Sequence, residues 1–400
     1  MNIGFEVLSD RPIRVLISIG RYLPGTRDGG PVRSVANMIS YLSPHITFYL
    51  VTRDRDVGDR DSYSGVKPDN WHTVGPAQVL YCSSVSFGIL RRAYREARPD
   101  IIYLNGCWDA FSRMMLILHK LGIFGGTSMI IAPRGGFSSG AMKIKPRKKW
   151  LYMRWARLFG LYSNLFWHAS TPRESHDLME ASPARNIDAR SIHIAYTMSD
   201  ATPSNEPHIS KEAGSVKLVF IARICEMKNL HFLLNILRSI RGNVQLNLFG
   251  ALADSDTVYW DNCREIIAQL PANIHIDYRG EVDHSLVPHV LHDHHFFVLP
   301  TQGENFCHAA VEALVNGTPV VISDETPWLN LAETYAGFDI ALADRRKWAD
   351  TLQMCVDMDQ TEYTDYLLGA LKYGLRFSKD EAVHQHLAML SSAVSSVRIT

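Results

Sequence analysis

The sequence predicts two α/β domains, each built on a parallel, doubly wound sheet. Short apolar runs rich in β-branched residues recur along the chain and have the length of buried strands. Segments with apolar residues at helical spacing lie between several of these runs, and such alternation is typical of parallel sheets covered by helices. The alternation is interrupted by the polar segment MSDATPSNEPHISKEAGS at residues 198–215, which has the composition of a linker.

The N-terminal series begins with the run IRVLISI at residues 13–19, which is expected to form a buried strand. A glycine-rich loop, GRYLPGTRDGG, follows it, and Pro31 then suits the first position of a helix. Three further runs are predicted to be strands that end in loops: residues 46–52, 101–106 and 128–136. Ligands of open parallel sheets bind beyond the carboxyl ends of the strands, so each of these loops is a candidate for function.

The C-terminal series starts directly after the linker. Its predicted elements are a strand at 216–222, a helix near 228–240, a strand at 244–250, a helix near 254–269, strands at 274–280 and 295–300, a helix near 307–316 and a strand at 319–323. The tail, residues 361–395, has a helical pattern. The sequence therefore predicts two sheets with a joint near residue 200, and two such sheets facing each other would form an interdomain cleft.

Composition excludes several classes of protein. Lys and Arg together number 41, as do Asp and Glu, so no net charge favours binding to nucleic acid. Six cysteines are scattered without metal-site spacing, as expected of free thiols in a reducing cytosol. The N-terminus resembles no signal or transit peptide, and no apolar run reaches the roughly 18 residues of a membrane-spanning helix. We expect a cytoplasmic protein, or one that binds a membrane only from its surface.

Two carboxylates stand out in the segment GENFCHAAVEALVNGTPV. Glu304 follows a predicted strand, and Glu312 lies inside the predicted helix. If that helix begins near Asn305 or Phe306, its free N–H groups and partial positive charge form an anion site. The two acids could then accept hydrogen bonds from hydroxyls, so the pattern indicates a polyhydroxylated ligand joined to phosphate. The alternative is a capping acid followed by an ordinary surface glutamate.

Two cations follow the first strand of the C-terminal series. Arg223 and Lys228 lie in RICEMKNL, five residues apart across a strand-to-helix turn. Arginine binds phosphate through a bidentate fork and lysine acts as a point charge, so the two residues could neutralise a diphosphate. The alternative is a pair of solvated loop cations.

These motifs resemble the donor half of retaining glycosyltransferases of family 4, whose GT-B fold consists of two Rossmann-like domains. The resemblance is carried by FIARICEMKNLHFLL and GENFCHAAVEALVNGTPVV. The segments YLPGTRDGGPVRSVANMISYL and IIAPRGGFSSGAMKIKPRKKWLY resemble the bacterial surface-polysaccharide branch, which makes O-antigen, capsule and exopolysaccharide. The resemblance implies an acceptor-binding domain over residues 1–200, a nucleotide-sugar-binding domain over 201–378, and a C-terminal helix over 379–400 that returns to the first domain.

The resemblance implies roles for the charged residues already named. Arg223 and Lys228 would bind the donor diphosphate and stabilise the leaving group. Glu304 would hold hydroxyls of the transferred sugar, and these three residues would be the catalytic ones. Glu312 would bind the ribose of the nucleotide.

Backbone contacts follow from the same resemblance. The backbone at Asn305 and Phe306 would contact sugar and phosphate. Gly29 and Gly30 would lie on an N-terminal loop that closes over the phosphates, where glycine lets a backbone approach closely.

Two positions depart from the common family pattern. Cys307 stands where many members have glycine, which would alter access to the backbone there. Many members also have a histidine in the N-terminal loop where this chain reads APRGG. Arg134 occupies that region, as it tends to in the polysaccharide branch, and its implied role is contact with acceptor or phosphate.

The resemblance also implies a reaction. A hexose-type sugar would pass from a nucleotide sugar, most readily a UDP- or GDP-sugar, to a glycan acceptor that is lipid-linked, without metal or cofactor. Retention is thought to proceed by same-face attack, so no side-chain base is required. The alternatives are a transferase with a soluble acceptor and a non-catalytic nucleotide-sugar-binding protein. A nicotinamide enzyme is disfavoured because no GxGxxG follows the first strand.

Residues 143–162, KIKPRKKWLYMRWARLFGLY, are basic and aromatic and lie in a region that has no acid between Asp109 and Glu174. Three interpretations remain open for this segment. It could be a solvated helix face, a site for an anionic acceptor such as a lipid diphosphate, or a surface that lies on a membrane.

Two segments could suggest a metal site. RDRDVGDRD, residues 53–61, repeats Asp-x-Asp, but the surrounding residues are polar and follow a predicted strand, which favours a solvated loop. HDHH, residues 292–295, adjoins a predicted buried strand without a partnering cluster of ligands. We therefore expect no metal.

Overall fold

The computed structural model describes residues 11–25, 30–56, 58–143, 145–183, 187–198 and 207–395. Within them the chain divides into two compact units. The first unit contains the described residues up to Met198 and those from Lys379 onward, and the second contains the described residues between Ser199 and Ser378. Each unit has its own sheet.

The first unit is built on an eight-stranded sheet. Its strands are β1 (Ile13–Ile19), β2 (Ile46–Arg53), β3 (Trp71–Val74), β4 (Ala77–Cys82), β5 (Ile101–Asn105), β6 (Ser128–Ala132), β7 (Phe166–Ala169) and β8 (Ile192–Ile194). They lie in the order β3-β4-β2-β1-β5-β6-β7-β8, and only β3 is antiparallel to its neighbour. β5 and β6 are buried along their whole length, as expected of strands covered on both faces.

Six helices of the first unit connect these strands. They are α1 (Gly30–Leu42), α2 (Phe87–Ala97), α3 (Ala110–Lys120), α4 (Ser139–Lys143), α5 (Pro146–Leu158) and α6 (Pro172–Ala181). Side chains that favour helix starts cap three of them, because Ser86, Asp109 and Thr171 each accept a hydrogen bond from the backbone of the first turn.

The second unit has a six-stranded sheet that is parallel throughout. Its strands are β9 (Ser215–Ile221), β10 (Asn243–Phe249), β11 (Ile274–Tyr278), β12 (Phe296–Leu299), β13 (Val320–Ser323) and β14 (Gly337–Ile340). Its helices are α7 (Leu230–Leu237), α8 (Thr257–Ile267), α9 (Val287–His292), α10 (His308–Val315), α11 (Arg345–Asp357) and α12 (Gln360–Gly374). The strand order is β11-β10-β9-β12-β13-β14.

The last helix, α13 (Lys379–Ser395), packs on the first unit. Leu387 and Leu390 are buried in the core beside β1 and β5. Gln385 accepts a hydrogen bond from the backbone N–H of Tyr196 at 2.9 Å, and the ring of His386 lies edge-on to that of His168 with centroids 5.0 Å apart. Among the described helices, none is both long and apolar enough to cross a lipid bilayer.

The prediction of two parallel-sheet α/β domains is confirmed. Each strand predicted from an apolar run is present, with ends that differ by a few residues, and β6 is the shortest relative to its prediction because the chain turns at Pro133. Five strands were not predicted: β3, β4, β7, β8 and β14. Helix α1 begins at Gly30, one residue before the predicted Pro31.

Candidate functional site

The second sheet has a topological switch point between β9 and β12. From β9 the chain moves through β10 to β11 at one edge, and then crosses back to β12 on the other side of β9. The loops after β9 and β12 consequently diverge at the carboxyl edge of the sheet and leave a crevice, which is where such sheets bind ligands. Arg223 and Lys228 follow β9, and Glu304 follows β12.

Lys228 and Glu304 form an ion pair at this switch point, with the ammonium donating to the carboxylate. Both side chains are mostly buried, with 18% and 16% of their surface exposed. Burial by itself lowers the pKa of Lys228, but the charge of Glu304 and the hydrogen bond outweigh it, so the pKa is raised above its usual value. Lys228 therefore carries its positive charge throughout the neutral pH range.

The loop that carries Glu304 is held to both neighbouring connections. Gln302 donates its backbone N–H to the carbonyl of Met227 at 2.9 Å, and the hydroxyl of Thr301 donates to the same carbonyl at 3.2 Å. The N–H of Glu304 donates to the carbonyl of Glu325 at 3.1 Å. Because Met227 directly precedes Lys228, these bonds fix the two members of the ion pair relative to each other.

Arg223 lies in the same connection, but its side chain is exposed and makes none of the ion pairs found within the described part of the chain. The backbone before it passes close to Gly250, which has φ +153°. A Cβ at Gly250 would overlap the carbonyl oxygen of Ala222 and lie 3.2 Å from the nitrogen of Arg223. Only glycine therefore fits at position 250, directly after β10, where the chain passes the loop that carries Arg223.

Glu312 lies on α10 and is almost fully buried, with 7% of its side chain exposed. Its Oε1 lies 3.1 Å from Nε2 of His284, a residue in the connection between β11 and α9. The sequence analysis missed His284 because the two residues lie in different connections, and nothing local to His284 distinguishes it. The imidazole limits how the carboxylate can turn.

The predicted helix near residues 307–316 is present as α10, which runs from His308 to Val315. The condition set for an anion site, that this helix begin near Asn305 or Phe306, is not met. The helix begins at His308, because Cys307 adopts the left-handed conformation with φ +64°, which cannot belong to a right-handed helix. A backbone of this kind favours glycine, so Cys307 occupies a position whose geometry matches the glycine common in the family that the sequence resembles. The side chain of Phe306 packs on Trp328, with ring centroids 5.2 Å apart, and the residue as a whole is only 4% exposed.

In the first unit, the guanidinium of Arg134 is held by four neutral side chains. It donates to Asn105 Oδ1 at 2.8 Å and to the hydroxyls of Tyr103 and Ser170 at 3.0 and 3.1 Å. A longer bond of 3.4 Å reaches Thr197. These partners come from β5 and from the ends of β7 and β8, so Arg134 joins several loops at one edge of the sheet. Its implied contact with acceptor or phosphate stays a prediction.

The carboxylate of Glu174 stabilises the same edge and was not singled out from the sequence. It is buried and accepts hydrogen bonds from the backbone N–H groups of Gly135 and Ser170 at 2.5 and 2.6 Å. The segment TPRE at the start of α6 carried the available signal, since Thr or Ser three residues before Glu is a helix-start pattern. Of the predicted glycines, Gly30 is the exposed first residue of α1, whereas Gly29 lies outside the described residues.

The histidines of HDHH are all engaged by the protein. His292 Nε2 lies 3.1 Å from the carbonyl of Asn316, His294 Nε2 accepts from the amide of Asn247 at 2.9 Å, and His295 contacts Lys217 and Ser210. Within the described ranges, no group of three or more histidine, cysteine or acidic side chains is placed to hold a metal ion. In the other candidate segment, Asp54 is buried and pairs with Arg55 at 2.8 Å.

Acid should destabilise the second unit through His295. Its Nδ1 accepts the backbone N–H of Lys217 at 2.9 Å, so a proton there would break that bond. Burial lowers its pKa from 6.5 to about 4. The stability that depends on neutral His295 is therefore complete above pH 6.5 and is lost as the pH falls toward 4. Denaturant unfolding should show a smaller loss between pH 7 and pH 4.5 in His295→Gln than in the wild type.

Exposed His384 supplies the control for this experiment. His384→Gln should show the same pH dependence of the unfolding midpoint as the wild type. An unchanged pH dependence in His295→Gln would contradict the role given to His295.

Solved structures show the class of fold. HepE from Anabaena, crystallised with UDP, superposes with a TM-score of 0.73 at 14% identity, covering 95% of this chain and 100% of that one. Sucrose-phosphate synthase from Thermosynechococcus elongatus gives 0.72 at 14%, covering 96% and 100%. WaaG, a glycosyltransferase involved in lipopolysaccharide biosynthesis, gives 0.63 at 13%, covering 94% and 98%. The chain has the fold of the GT-B glycosyltransferases.

A protein-family model also matches one part of the chain. The model of the family described as Glycosyl transferases group 1 matches residues 203–351. This range contains Arg223, Lys228, Glu304 and Glu312. No curated protein matches the sequence.

Proposed function

We propose that this chain is a retaining, metal-independent glycosyltransferase of family 4. It moves a hexose-type sugar from a nucleotide sugar to a lipid-linked glycan during assembly of a bacterial surface polysaccharide, on the cytoplasmic side of the membrane. The observation that carries the proposal is the Lys228–Glu304 pair at the switch point of the second sheet. The group 1 match, which spans this sheet from β9 to β14, supports the same assignment.

The pair has the chemistry that a sugar diphosphate needs. A diphosphate would attract Lys228 and the nearby exposed Arg223, and the developing negative charge of the leaving nucleotide would strengthen both contacts. Once the phosphate engages Lys228, the carboxylate of Glu304 becomes available to hydroxyls of the sugar. One ion pair thus provides a cation for the leaving group and an acceptor for the transferred group.

The rest of the donor would lie on α10 and the loop before it. The N–H groups at the start of α10 favour anions, and the backbone of Asn305 and Phe306 leads into that helix start. Glu312, one turn further along, would accept hydrogen bonds from the ribose. In the first unit, Gly29 and Gly30 would approach the phosphates, and Arg134 would contact acceptor or phosphate.

Neighbouring structures bear on the choice of donor and acceptor. HepE has been crystallised with UDP and with UDP-glucose, which favours a UDP-sugar over a GDP-sugar as the first donor to test. WaaG and the galactosyltransferase WaaB are named for lipopolysaccharide synthesis, which favours a glycan acceptor. Sucrose-phosphate synthase represents the alternative of a soluble acceptor.

The proposal is tested by turnover. The protein should release nucleoside diphosphate from one of a set of UDP- and GDP-hexoses, and a lipid-diphosphate-linked glycan should accelerate release more than sugar phosphates do. NMR of the product should show the anomeric configuration of the donor, and a chelator should leave the rate unchanged. Saturable binding of a nucleotide sugar without release would instead identify a non-catalytic binding protein.

A further inference from the structure

Helix α5 exposes large apolar side chains on its outer surface. Met153 and Ala156 face the core and are buried, whereas Leu151 and Leu158 are 63% and 66% exposed. The two leucines are seven residues apart and therefore lie along one side of the helix. Trp150 and Trp155 flank them and are also exposed, at 61% and 44%. Transfer of these four side chains from water to an apolar phase would be favourable, in proportion to the apolar area that is buried.

Basic residues are interleaved with this apolar surface. Arg147, Lys148 and Arg154 are exposed on the same helix, and the guanidinium of Arg154 lies 5.5 Å from the ring centre of Trp150. The two other cations of the helix are held by the protein. Lys149 donates to the carbonyl of Ala141 at 2.7 Å, and Arg157 donates to that of Ser182 at 2.8 Å.

A neighbouring turn extends the surface. Exposed Phe159 directly precedes Gly160. The end of α3 lies beside this turn, because the ammonium of Lys120 is 3.3 Å from the position that a Cβ would take at Gly160. The next residue, Leu121, is 67% exposed. The α5 face is defined here as Arg147, Lys148, Trp150, Leu151, Arg154, Trp155, Leu158 and Phe159, with Leu121 beside it.

We propose that the α5 face docks on an anionic lipid bilayer, with the helix lying in the plane of the interface. Leucines at the centre would enter the acyl boundary, tryptophans would sit at the level of the headgroups, and the arginine and lysine heads would reach anionic lipids. A helix of 13 residues spans about 20 Å, which provides one continuous contact parallel to the membrane.

The positive charge of the α5 face favours an anionic bilayer, rather than a second copy of the chain, as its partner. No acid occurs between Asp109 and Glu174, so two α5 faces brought together would repel. Anionic lipids complement both the charge and the apolar surface at once. The inference fits a lipid-linked acceptor but does not rest on glycosyl transfer, because the α5 face belongs to the first unit and the proposed donor residues to the second.

Leucine substitutions test the apolar part. Leu151→Glu with Leu158→Glu should weaken binding to phosphatidylglycerol–phosphatidylcholine vesicles by at least about tenfold. The matched control is Leu368→Glu with Leu375→Glu, two exposed leucines of the second unit. It adds the same charge and should cost no more than the general repulsion of two acids. Equal losses in the two variants would overturn the proposal.

Arginine substitutions test the charge. Arg147→Ala with Arg154→Ala should weaken binding by about thirtyfold, because each cation near an anionic surface contributes about fivefold. Arg91→Ala with Arg95→Ala, on exposed positions of α2, is the control and should bind as the wild type does. Binding of the wild type should rise with the phosphatidylglycerol content and fall with salt. Binding that is absent, or indifferent to lipid charge, would overturn the proposal.

A measurement on the unaltered protein checks the orientation. Trp150 and Trp155 are the two exposed tryptophans among those that the structure describes. Lipids spin-labelled near the headgroup should quench tryptophan fluorescence, and Trp150→Phe with Trp155→Phe should remove most of that quenching. Quenching that persists in this variant would place another surface on the membrane. Thermal stabilisation by UDP should be the same in all these variants, which separates failure of docking from failure of the donor site.

Discussion

Replacing Lys228 by alanine should lower kcat/KM for the nucleotide sugar by at least about 100-fold, the typical cost of losing one positioned electrostatic stabiliser. The substitution removes the charge that would stabilise the leaving diphosphate. It also leaves the carboxylate of Glu304 without the partner that its burial requires. Steady-state release of nucleoside diphosphate measures the first effect, and thermal unfolding measures the second.

Two further variants serve as comparisons for Lys228→Ala: a control at another lysine, and a change in the partner of Lys228. Lys217→Ala removes an exposed lysine from β9 and should leave kcat/KM within twofold of the wild type. Glu304→Gln keeps a hydrogen-bonding side chain but removes the charge that raises the pKa of Lys228, so that pKa should fall. Turnover of Lys228→Ala close to that of the wild type would exclude Lys228 from the donor site.

Replacing Glu312 by alanine should weaken binding of UDP by about 10- to 100-fold, because a buried carboxylate that accepts hydrogen bonds from ribose hydroxyls would be lost. Binding of 2′,3′-dideoxy-UDP should scarcely change, since this ligand lacks those hydroxyls. Calorimetric titration of both nucleotides into both proteins gives the four affinities required.

The comparison of ligands distinguishes recognition from a structural role. A general loosening of α10 would weaken both nucleotides equally and would contradict the assignment of Glu312 to ribose. His284→Ala should give a smaller loss with the same preference, because His284 contacts the carboxylate and acts by positioning it. Glu333→Ala, at an exposed acid, is the control and should bind both nucleotides normally.

The strands that could be predicted from the sequence share a physical property. Runs such as residues 13–19 and 216–222 are apolar and β-branched because central parallel strands are buried on both faces. β8 has three residues and β14 has four, of which the first is a glycine. Strands this short do not show a recognisable apolar pattern. The helix near residues 307–316 was predicted, but the left-handed backbone of Cys307, which keeps the helix from starting at Asn305 or Phe306, is not encoded by its side chain.

The candidate site shows the same division. Residue types and local spacing were enough to select Arg223, Lys228 and Glu304 as charged groups in loops after strands, and Glu312 as an acid inside the helix that follows. Which of them touch was not predictable, because Lys228 and Glu304 are 76 residues apart and meet only through the pairing of β9 with β12. His284 and Glu174 act through partners in other connections, and periodicity carries no information about such contacts.

Thermal unfolding in the presence of UDP, GDP, dTDP, ADP and their sugars tests the donor site most directly. A ligand at 100 times its dissociation constant stabilises a protein by about 2.7 kcal/mol, which a melting curve resolves. We predict stabilisation by one nucleotide family, with UDP the first candidate, and loss of that stabilisation in Arg223→Ala. Stabilisation by none of these ligands, or an equal response of Arg223→Ala, would contradict a nucleotide-sugar site at the switch point of the second sheet.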